Sequence, residues 1–179
     1  MLFRSGKTIS AGHIILELAA RGELNSLLVV CLNSIQEKWI DELQNKFNIR
    51  VQRYEKIQDF QSAIADYNLH NDRLFGVINY DKFRQRNNIE FFENNAISID
   101  LMIFDEAHTL RNDTNARKSL KPFTELAKSI VMLTATPIMT SLENLYSLIQ
   151  ILDVENYSNF QIFQNAININ KPFIRAYNQ

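Results

Sequence analysis

Residues 101 to 108 read Leu101-Met102-Ile103-Phe104-Asp105-Glu106-Ala107-His108: four apolar side chains, then two adjacent acids. A short unbroken apolar run suits a strand covered on both faces, as in parallel sheets sandwiched between helices. Acids directly behind such a strand stand at the carboxyl edge of its sheet, where open α/β folds bind ligands.

The same alternation extends in both directions. Leu27 to Leu32, Leu74 to Ile78 and Ser129 to Leu133 are further apolar runs, and Ile49 to Tyr54 alternates like a short strand. Helical periodicities lie between them. One helix starts near Lys7, carries Ala11, Ile14, Ile15 and Leu18 on one stripe, and stops at Gly22. Ile35, Trp39, Leu43 and Phe47 recur every fourth residue behind Ser34-Ile35-Gln36-Glu37, a capping-box pattern. Phe60, Ile64 and Tyr67 mark a third helix, and Leu142, Leu145, Leu148 and Ile149 mark another after Pro137. Residues 79–95 read as a polar loop with short helices, and residues 111–127 as a loop entering a helix. Strands alternating with helices predict an α/β fold with a mostly parallel sheet.

A chain of 179 residues suits one domain. Hydrophobic residues make up 46% and charged residues 22%, which is globular composition. The 19 basic residues against 20 acidic ones leave a net charge of -1, so no global field draws the chain to nucleic acid or membrane. A local basic patch can still serve. No apolar stretch is long enough to span a bilayer, and the first residues lack a signal-peptide layout. Cys31 is the only cysteine, which excludes an internal disulfide and suits a reducing interior. The expected setting is a bacterial or viral-host cytoplasm, or the nucleus of a eukaryote.

Three motifs carry chemistry. Gly6-Lys7-Thr8 matches the tail of G-x-x-x-x-G-K-[ST], with Ser5 before it and a predicted helix behind it. A helix N-terminus with inward backbone N–H groups holds phosphate. Lys7 would reach the β and γ phosphates, and the Thr8 hydroxyl would ligate Mg²⁺. The bare tripeptide also occurs by chance. Asp105 would hold Mg²⁺ and Glu106 would orient and deprotonate an attacking water, since phosphoryl transfer needs mainly positioning and charge neutralisation. The alternative is a solvated loop with two surface acids. Thr134-Ala135-Thr136-Pro137 follows a third apolar run. Its two hydroxyls, Thr134 and Thr136, could sense the γ-phosphate, or simply build a turn. His108 has no second His or Cys at ligand spacing, so a zinc cage is rejected. It reads as a coupling residue directed towards Thr134 or Thr136, or as a surface histidine. The motifs together indicate a nucleoside triphosphatase that uses Mg²⁺.

Nucleic-acid contacts are expected from Asn33 and Ser34, at a strand end entering a helix, and from Asn79, Tyr80, Lys82 and Arg84, where aromatics and cations mix. Arg111, Arg117, Lys118 and Lys121 form another basic cluster. Such clusters are also common on solvated faces. Trp39 reads as a core anchor rather than a base-stacking platform.

These residues resemble the first RecA-like domain of superfamily 2 helicases, specifically the Swi/Snf-type ATPases and their bacterial RapA-like relatives. Gly6 to Gly12 is similar to motif I, and Val29 to Ser34 with Gln36 and Trp39 to motif Ia, with Cys31 at a usual proline position. Val77-Ile78-Asn79-Tyr80 resembles motif Ib. Ile103 to His108 with Arg111 and Asn112 resembles motif II. Leu133 to Ile138 with Leu142, Glu143 and Leu145 resembles motif III. The resemblance implies a three-layer α/β/α P-loop NTPase domain over residues 1–152, with most of an N-terminal strand missing. Residues 153–179 would lead towards a second RecA-like domain that is absent. It further implies a DNA-dependent ATPase or translocase whose partners are double-stranded DNA and that second domain. The isolated chain would bind ATP weakly and be inactive or nearly so. Other functional readings are a non-catalytic half-helicase interaction module and the helicase domain of a restriction system.

Overall fold

The computed structural model describes residues 5–70, 72–83, 90–91, 94, 98–110, 126–134, 142–153 and 155–177. Helix α1 (Ser5–Ala20) leads into β1 (Ser26–Cys31). A 3-10 turn (Asn33–Ile35) opens α2 (Gln36–Phe47), followed by β2 (Gln52–Arg53), α3 (Ile57–His70), β3 (Leu74–Asn79) and the short α4 (Tyr80–Phe83). Strand β4 (Ile99–Asp105) precedes a second 3-10 turn (Ala107–Leu110), and β5 (Ala127–Leu133), α5 (Leu142–Leu152) and α6 (Phe160–Tyr177) complete the series.

The five strands form one sheet in the order β2-β3-β1-β4-β5, and every pairing is parallel. The two-residue side-chain period sorts each strand onto two cores. Leu28, Val30, Met102 and Phe104 face α3, α4 and α5, where Phe60, Ile64, Phe83 and Leu148 are buried. Leu27, Val29, Cys31, Leu101 and Ile103 face α1 and α2, against Ala11, Ile15, Trp39 and Leu43. The alternating pattern predicts the parallel α/β sheet, and the three-layer α/β/α, RecA-like arrangement is the one the resemblance implies. All seven residues of β4 are buried, as its apolar run requires.

Register then sets the functional rim. Cys31 pairs with Asn79, Val30 with Phe104, and Asp105 with Leu133. The carboxyl ends of β1, β3, β4 and β5 therefore lie side by side. Gly22 (φ +71) closes α1, with Gly22 N–H donating to Ala19 and Glu23 N–H to Leu18. That αL turn returns the chain to the amino end of β1 and leaves the start of α1 at the opposite rim, beside the acids. Gly12 lets α1 approach α2 closely: a Cβ there would fall 2.3 Å from the Phe47 ring.

Some local expectations change. Ser34 does not cap α2: the residue before the helix is Ile35, with no side-chain cap hydrogen bond, because a 3-10 turn occupies the segment. The strand at Ile49 to Tyr54 shrinks to Gln52–Arg53, and β5 starts at Ala127. The Asn-rich C-terminal stretch contains α6, pinned where Phe163 packs with Tyr146, Tyr157 and Phe160. Among the described residues, no helix is long and apolar enough to cross a membrane.

Candidate ATP and magnesium site

Four side chains from distant parts of the chain converge at the carboxyl rim. Lys7 and Thr8 lie in the first turn of α1, and Asp105 and Glu106 at the end of β4. Lys7 Nζ lies 3.3 Å from Asp105 Oδ1 and 2.5 Å from Glu106 Oε1. The three side chains are between 8% and 17% exposed, so these are partly desolvated charges held together. Thr8 is buried at 5%. With Ser34, Ile35, Lys38 and Trp39 they line a cleft of about 100 Å³.

Asp105 is clamped from several sides. Trp39 Nε1 donates to its Oδ2 at 2.8 Å, and the Glu106 backbone N–H donates to its Oδ1 at 2.8 Å. Tyr80 donates its hydroxyl to the Asp105 carbonyl, also at 2.8 Å. A hydrogen bond to a charged acceptor is worth about 1.5–3 kcal/mol, so the carboxylate orientation is strongly determined. Glu106 adopts φ +52, a left-handed conformation that costs a non-glycine residue roughly 1–2 kcal/mol. Such strain persists where surrounding structure over-determines it, often at functional sites. Here it turns the Glu106 side chain back over the rim towards Lys7. His108 Nδ1 lies 3.0 Å from Glu106 Oε2.

The donor set fits magnesium. Mg²⁺ takes hard oxygen ligands, commonly one or two carboxylates plus phosphate oxygens. Asp105, Glu106 and the Thr8 hydroxyl are such donors. The Lys7 ammonium already sits as a cation between the two carboxylates, which shows that the cradle favours positive charge. Among the described residues no group of three or more His, Cys, Asp or Glu is placed to hold a metal ion. A wider hollow of about 790 Å³ opens at the amino ends of the strands. Its charged lining is Arg50 and Arg73, with no acid to hold a cation.

The remaining expected residues divide. Gly6 is helical, and among the described residues a Cβ there would meet nothing within 4 Å. Ser5 is the first residue of α1. Thr134 directly follows Leu133, the register partner of Asp105. His108 faces Glu106. Ser34 is exposed and lines the cleft beside Lys7, while Asn79 Nδ2 and Asn33 Oδ1 stand 3.5 Å apart at the neighbouring strand ends. Lys82 donates its backbone N–H to Asn79 Oδ1. Tyr80 is corrected: at 3% exposure it belongs to the core beneath Asp105, with no ring face left for a base. Arg84 and Thr136 lie outside the described residues, as do Arg111, Arg117, Lys118 and Lys121. The reading of Trp39 as core anchor missed its polar end. A buried indole needs a hydrogen-bond partner, and that was the available signal.

The chain is similar in sequence and fold to known proteins. RapA, the RNA polymerase-associated protein of Yersinia pseudotuberculosis, is 25% identical over 175 residues, covering 96% of this chain and 18% of the relative. The chain thus spans less than a fifth of the curated relatives' length. Among solved structures, the Sulfolobus solfataricus SWI2/SNF2 ATPase core in complex with dsDNA matches with a TM-score of 0.66 and 21% identity, over 89% of this chain and 32% of the other. The Pyrococcus furiosus Hef helicase domain matches with a TM-score of 0.61 and 19% identity, over 84% and 31%. Residues 5–175 match the family model described as SNF2-related domain. The chain belongs to the family of SNF2-related domains.

Proposed function

We propose that this chain is the ATP-binding half of a DNA-dependent ATPase of the Swi/Snf type, coupling ATP hydrolysis to movement on, or remodelling of, nucleic acid. The observation that carries the proposal is the convergence of Lys7 with Asp105 and Glu106 at one rim of the sheet. Lys7 moves from the acids to the β and γ phosphates when nucleotide arrives, and the start of α1 adds its backbone N–H groups. Asp105 and Thr8 would hold Mg²⁺, which neutralises developing phosphate charge when bound. Glu106 orients water and accepts its proton, with His108 Nδ1 3.0 Å from that carboxylate. Thr134 and Thr136 follow β5 where a strand tip can register the γ-phosphate.

Double-stranded DNA is the proposed track, with Asn33, Ser34, Asn79 and the backbone around Lys82 at the rim beside the cleft. A second RecA-like domain, in cis or in trans, completes the ATP site, so the isolated chain turns over ATP slowly or not at all. A cytoplasmic setting accompanies this reading. The test uses the full protein containing this chain. Lys7→Ala is expected to lose ATP binding in calorimetry. Glu106→Gln is expected to keep binding but lose DNA-stimulated phosphate release. Undiminished turnover in Glu106→Gln would remove the role given to that residue.

A further inference from the structure

We propose that Trp39 is a positioning residue for the cation-binding carboxylate of Asp105; this rests on the ATP and magnesium reading above. The Trp39 indole is 2% exposed and sits in the α1/α2 core, where a phenyl ring would supply the same apolar cover. Its Nε1–H instead donates to Asp105 Oδ2 at 2.8 Å, across 66 residues of sequence. The terminal torsion of an aspartate is broad and roughly two-fold, so packing alone does not choose its plane. With Oδ2 tied to the indole and Oδ1 accepting the Glu106 N–H, the plane is set, and Oδ1 is the oxygen that faces Lys7. Trp39 also lines the cleft itself. Partners that orient a metal ligand typically change metal affinity 10- to 100-fold when removed.

Trp39 is the sole tryptophan of these 179 residues, and its indole N–H gives the bond a spectroscopic reporter. In the full protein, nucleotide affinity is measured by calorimetry in excess Mg²⁺ and in EDTA. Trp39→Phe is expected to reduce the Mg²⁺-dependent gain in ADP affinity by about 10- to 100-fold and to leave the EDTA affinity unchanged. An unaltered Mg²⁺ dependence in a folded Trp39→Phe protein overturns the proposal. Should that variant fail to fold, the Trp39 indole ¹H–¹⁵N resonance, assigned by isotope-labelling this segment of the unaltered protein, decides: addition of Mg²⁺ with ADP shifts it if indole and cation share Asp105, and leaves it in place otherwise. No ADP binding under either condition would refute the ATP reading instead. Mg²⁺ alone, titrated against the same resonance, then supports or overturns the positioning role.

Discussion

Replacing Asp100 with alanine should be one of the costlier changes in this sheet, although the residue lies far from the candidate site. Asp100 is the second residue of β4 and is 6% exposed. Its Oδ2 accepts the backbone N–H of Asn25 at 2.7 Å and of Ser26 at 3.0 Å, at the point where the chain enters β1. Its own N–H donates to Ser26 Oγ at 2.8 Å, and Lys128 of β5 meets Oδ1 at 2.7 Å. One carboxylate thus joins the amino ends of three adjacent strands. Stranding the fully buried Ser26 N–H costs about 1–3 kcal/mol, and Asn25, which keeps access to water, adds less. The expected loss is about 2–3 kcal/mol in urea unfolding of the full protein. Asp100→Asn keeps one acceptor oxygen for both N–H groups and should cost less than half as much. The pH dependence follows from the same contacts. Burial pushes the Asp100 carboxyl up, but Lys128 and the N–H groups of Asn25 and Ser26 outweigh it and hold the group below the usual carboxylate range. A depressed folded value means the stabilisation is complete above about pH 4 and is lost as pH falls through the lower folded value. An alanine variant within about 0.5 kcal/mol of the parent, or with the same acid unfolding profile, would refute the argument.

Other consequences are as direct. Gly12→Ala places a methyl group 2.3 Å from the Phe47 ring and should destabilise by about 1–3 kcal/mol. Combining it with Phe47→Leu should recover part of that loss in a double-mutant cycle, and simple additivity would contradict the clash. Burial, with Asp105 nearby, pushes the Cys31 thiol up to about 12. Its alkylation at pH 8 should be slow in the folded protein and fast in urea; equal rates would show an accessible thiolate.

Much of this protein is legible in the chain without coordinates. The apolar runs Leu27 to Leu32 and Leu101 to Phe104 suit strands covered on both faces, because unbroken apolar sequence has no face for water. Lys7, behind Gly6 at the start of a helical stripe, and the acids behind β4 also stand out locally, since backbone period and strand ends are short-range properties. Tertiary structure decided what side-chain tips meet. In sequence Trp39 reads as a core anchor and Tyr80 as a nucleic-acid contact, yet one fixes the carboxylate of Asp105 and the other its carbonyl. Ser34 resembles a cap and lines a cleft, because a 3-10 turn replaces the helix start there. Asp100 resembles an ordinary polar residue beside a strand and proves to join three strands. Periodicity reports which face of an element is apolar. A hydrogen bond between residues tens of positions apart depends on register and crossover, and those exist only once the sheet has closed over its cores.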